Sequence, residues 1–238
     1  SYTKVELKTN SPAGVKAHCI AGADFYFAWG QLNRKLYESN MVRKEGEVID
    51  FVFSEGQSQG DPVVIYGFNK MSEMDFSEMG PYAQGGSFKF SLGNDLVQNT
   101  MKKFVIGNPS ARNNLVSYQD TETWVALPNL EYLDITNFAG ITSVPLTSFR
   151  NLHTFKAFGS SLASIAPAEG AKFDLVELPN TIKTLSLNNI SFTRGIADDL
   201  KYTPNSNLDS LMISNSDGVG PIYYTNVVLP WIEAINAS

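Results

Sequence analysis

A triplet of apolar residues at positions i, i+3 and i+5 recurs six times after residue 70, and no other feature restricts the possible folds of this chain as much. The triplets are Met71/Met74/Phe76, Met101/Phe104/Ile106, Leu130/Leu133/Ile135, Leu152/Phe155/Ala157, Ile182/Leu185/Leu187 and Leu208/Leu211/Ile213. Their first members stand 30, 29, 22, 30 and 26 residues apart, an irregular period. A unit of this length cannot bury its own apolar strand, so copies must stack and bury one another. The pattern predicts six short strands in parallel, with the triplets facing a common core.

An asparagine follows the third anchor by two residues in four of the six units: Asn108, Asn137, Asn189 and Asn215. Alternation along an extended chain would turn it inward, where its amide can bond the backbone of the turn leaving the strand. Glu78 and Gly159 occupy this position in the first and fourth units, so the expected asparagine ladder is broken twice.

Residues 71–238 resemble the leucine-rich repeat family, most clearly in LPNLEYLDITN (127–137) and LPNTIKTLSLNN (178–189). The family pattern places its asparagine one residue later than this chain does. The prefix Leu-Pro returns at Leu229-Pro230, ahead of Ile232 and Ile235. Those two isoleucines match the start of a seventh unit, or else Pro230 opens a short capping helix.

Before residue 71 the rhythm is different. VELKT (5–9), VKAHCIA (15–21), DFYFAW (24–29), KLYES (35–39), VIDFVF (48–53) and VVIYGF (63–68) are rich in β-branched and aromatic residues and are separated by turn-forming Gly, Pro, Ser and Asp. They predict a small antiparallel β-sandwich over residues 1–70. FAWGQL (27–32) followed by VVIYGFNKMSEMDFS (63–77) is similar to a PKD-like β-sandwich that precedes divergent repeats. That combination resembles surface proteins of Bacteroidetes and proteins of the phages that infect them. The whole reads as mostly β: a sandwich over 1–70, then an irregular leucine-rich repeat solenoid with a parallel sheet over 71–238.

The composition of the 238 residues, 43% apolar, is sufficient for a substantial core. No apolar run approaches the roughly 20 residues of a membrane-spanning helix. With one cysteine, Cys19, there is no intrachain disulfide framework, and its place in AHCIA predicts a small buried hydrophobe. Residues 1–70 hold 8 basic and 8 acidic side chains and residues 71–238 hold 10 and 16, which places the whole net charge of −6 in the repeats. Neither part offers the basic surface that nucleic-acid binding requires.

Catalytic and metal-binding constellations are missing from the sequence. The two histidines, His18 and His153, sit among apolar residues and read as structural, and neither they nor Cys19 stand at zinc-ligand spacing. There is no Gly-x-Ser-x-Gly elbow, no phosphate-binding loop and no calcium-binding nonapeptide. Gly56–Gly60 lacks the lysine and the helix of a phosphate loop, and Asp198 and Asp199 are adjacent, so they point apart. The expectation is a non-enzymatic module with no cofactor and no metal.

What the repeats leave free is the other face of the sheet, the residues at i+2, i+4 and i+6. Lys103, Tyr132, Asp134, Lys156, Phe158 and Met212 are the candidate partner-binding residues on it, since aromatic side chains among charges are the types enriched at binding hot spots. Asp134 and Lys156 should be lateral neighbours. The resemblance implies a phage virion component, capsid- or tail-associated, that meets protein partners through this face or the C-terminal end around Trp231. The alternative is a bacterial cell-surface or secreted adhesin, with a glycan as a possible ligand.

Overall fold

A computed structural model gives the architecture. It describes residues 18–23, 45–48, 50, 70–78, 100–110, 127–141, 144, 146, 149–162, 181–186, 209–210 and 229 with their side chains, and the remaining strand residues by their backbone. Fifteen strands are seen among these residues. Those before residue 70 are β1 (Lys4–Lys8), β2 (Val15–Ala21), β3 (Phe25–Tyr26), β4 (Trp29–Gln31), β5 (Val42–Arg43), β6 (Val48–Phe53) and β7 (Val63–Tyr66). After it come β8 (Met71–Asp75), β9 (Ser87–Ser91), β10 (Lys103–Val105), β11 (Val116–Ser117), β12 (Tyr132–Asp134), β13 (Thr154–Lys156), β14 (Thr184–Asn188) and β15 (Ser210–Ser214). The chain is mostly β.

Six strands, β8, β10, β12, β13, β14 and β15, lie side by side in parallel, one from each apolar triplet. The register aligns the middle anchors in one row: Met74, Phe104, Leu133, Phe155, Leu185 and Leu211. Every anchor from Met71 to Leu185 is at most 1% exposed, so the triplets face a continuous core. Because strand side chains alternate, a slip of one residue would have turned the whole row to solvent, which is why the apolar pattern pins the register. Phe76 and Phe104 meet edge to face with centroids 6.3 Å apart. The return path after β12 adds Phe138, Ile141, Val144, Leu146 and Phe149, all buried.

One hydrogen-bond device recurs at the entry to β12, β13, β14 and β15. The amides of the two residues after the first anchor both donate to the carbonyl just after the first anchor of the preceding unit: Glu131 and Tyr132 to Lys102, His153 and Thr154 to Glu131, Lys183 and Thr184 to His153, Asp209 and Ser210 to Lys183. A second device precedes the first anchor. The Thr100 hydroxyl donates to the Met71 carbonyl at 3.0 Å, and the Thr181 hydroxyl to the Leu152 carbonyl at 2.6 Å. That position is Thr or Asn in units two to six (Thr100, Asn129, Asn151, Thr181, Asn207), a polar signal that the search for apolar anchors passes over.

Strand pairing does not stop at residue 70. On one side of the parallel strands β2 joins β8 antiparallel, and β6 joins β2, making an eight-stranded sheet. The Ser72 hydroxyl ties this junction to the Ile20 carbonyl at 3.0 Å. In the other direction β9, which lies among the repeats, pairs with β1 in a five-stranded sheet with β11, β7 and β4. β3 and β5 form a pair of their own. Strands β5, β9 and β11 fall outside the segments expected to be strands, although SFKFS in β9 alternates as a strand does, and the expected strand at 35–39 lies outside the described residues. Cys19 is fully buried against the middle-anchor row, opposite Met74.

Candidate partner-binding face

The face opposite the anchors carries two lateral rows. The first runs Ile20, Glu73, Lys103, Tyr132, Thr154, Thr184, Ser210, and the second runs Asp50, His18, Asp75, Val105, Asp134, Lys156, Ser186, Met212. It is less open than simple alternation suggests. Val105 is 6% and Thr154 7% exposed, and Gly107 is buried, whereas most other described members are half-buried.

Tyr132 sits at the centre of this face. The Lys103 Nζ lies 4.8 Å and the Lys156 Nζ 5.3 Å from its ring centroid. Each is a cation–π contact, about 0.5–1 kcal/mol at an exposed site. Hydrogen bonding to the Tyr132 side chain holds the Lys156 ammonium above its ordinary range, and the Asp134 charge adds to this. Asp134 and Lys156 are register partners, but the lysine points to the ring and the aspartate to its own turn. Its Oδ1 accepts the Thr136 amide at 2.8 Å, and Asp75, at the same place in the first unit, accepts the Ser77 amide at 2.8 Å. Asp134 therefore secures the end of its strand.

Phe158 follows β13 and remains 39% exposed, one of two large apolar side chains so exposed among the described residues. Met212 is the strand neighbour of Ser186, and its side chain lies outside the described residues, as do Asn189, Asn215, Asp198, Asp199 and Trp231. Asn108 and Asn137 are half-buried at the turns rather than inside the core. Asn137 Nδ2 donates to the Asn108 carbonyl at 2.8 Å, which links two successive turns, while Asn108 Oδ1 accepts the Ser110 amide at 2.8 Å.

The N-terminal strands extend the face. His18 stands between Asp50 and Asp75 in the second row, and its Nδ1 is 2.6 Å from Asp50 Oδ1. Its side chain is 48% exposed, so this histidine is a surface residue and not a packed one. Alternation in VKAHCIA was the available signal, since Cys19 facing inward turns His18 outward. His153 bonds the Thr154 hydroxyl at 2.8 Å. Among the described residues no three His, Cys, Asp or Glu side chains gather as a metal site requires, and no helix is long and apolar enough to cross a membrane.

No protein-family model matches the chain, and neither a curated protein nor a solved structure shows significant similarity to it.

Proposed function

We propose that this chain is a non-enzymatic protein-binding or structural module, a leucine-rich solenoid over residues 71–238 capped by a PKD-like sandwich over 1–70. The observation that carries the reading is the Lys103–Tyr132–Lys156 cluster, three polar side chains from three adjacent strands held together on the open face. A face built on hydrogen-bonded strands needs little ordering on association, so its contacts are not offset by a large entropy loss. The antiparallel strands β2 and β6 support the capping role, because they cover the edge that β8 would otherwise present.

The setting we propose is a phage virion, with the chain in the capsid or tail. Cryo-electron microscopy of particles, with the chain located by antibody, tests it. Density for neighbours against the parallel sheet or the C-terminal end is the expected result, and a chain absent from purified particles overturns it.

A cell-surface adhesin that binds glycan is the second reading. The exposed Phe158 ring favours it, since an aromatic side chain open to solvent suits a sugar. The Tyr132 ring, already engaged by two ammonium groups, suits it less. Binding of the full chain to cells or polysaccharide that is lost on Tyr132→Ala with Phe158→Ala would support this reading, and unchanged binding would sink it.

A further inference from the structure

We draw no further inference here: the strongest candidate, the outer edge of the parallel sheet at β15, a charge-free strand with β14 as its one partner among the described residues, carries none because nothing in the structure shows what covers it.

Discussion

Gly159 lies against Asn137 of the preceding unit so closely that a Cβ at residue 159 would collide with Asn137 Oδ1. Both residues hold the same place in their units, two beyond the third anchor, and both have left-handed backbones, φ 74° at Gly159 and φ 60° at Asn137. Gly and Asn are the residue types that adopt this conformation at least cost. What reads in the sequence as a gap in an asparagine ladder is thus a second solution to the same turn.

Gly159→Ala should destabilise the chain more than Gly46→Ala. Gly46 also has a left-handed backbone, φ 78°, but nothing lies within 4 Å of its would-be Cβ. The conformational penalty is about 1–2 kcal/mol in both variants. The collision with Asn137 adds about 1–3 kcal/mol at residue 159 alone. Urea denaturation of the two variants measures the difference, and equal midpoints would contradict the packing described.

Asn137 makes two separable contributions. Asn137→Gly keeps the left-handed turn and loses the bond to the Asn108 carbonyl, a loss of about 1 kcal/mol. Asn137→Ala loses the bond and also strains the backbone, so its cost should be about 2–3 kcal/mol. The order Gly before Ala is the reverse of what a helical or extended residue would give.

The threonines before the first anchors tie each unit to the one before. Thr100→Val and Thr181→Val keep the shape and remove the hydroxyls that bond the Met71 and Leu152 carbonyls. Each should lower stability by about 1 kcal/mol, and the two should add because the sites share no partner. Equilibrium unfolding of the single and double variants checks both statements.

Burial, and secondarily the charges of Asp75 and Asp50, push the Cys19 thiol far above its ordinary value of 9.0. In the unfolded chain the same thiol ionises near 9.0. The stabilising difference is fully present below that pH and is lost progressively as the pH rises above it. Alkylation of Cys19 at pH 8 should therefore track unfolding, and native-state labelling at the rate of a free thiol would refute the assignment.

The Lys156 ammonium should return towards its ordinary 10.5 in Tyr132→Phe, since its leading cause, the hydrogen bond to Tyr132, is removed while the ring stays. A raised folded value means the interaction is present below about 10.5 and fades as the pH climbs past the folded value. Carbon-13 titration of the Lys156 side chain in the two proteins measures the change. No shift between them would show that the tyrosine hydroxyl does not hold the lysine.

The apolar triplets were sufficient to place six strands in parallel and in register. The reason is local: a period of two couples each residue's face to its neighbours, and a unit with one apolar face can bury it only on its copies. The same alternation identified the outward residues, including Tyr132 and Lys156. Their relations were not legible. Tyr132 meets Lys103 from a strand 29 residues earlier and Lys156 from the next one, although an acid is the register partner of each lysine. Gly159 faces Asn137 across a 22-residue separation, and β9 crosses back to β1 past the expected boundary at residue 70. Each depends on which units become lateral neighbours and how closely their turns approach. Spacing along a chain carries the first kind of information; the second exists only once the units have stacked.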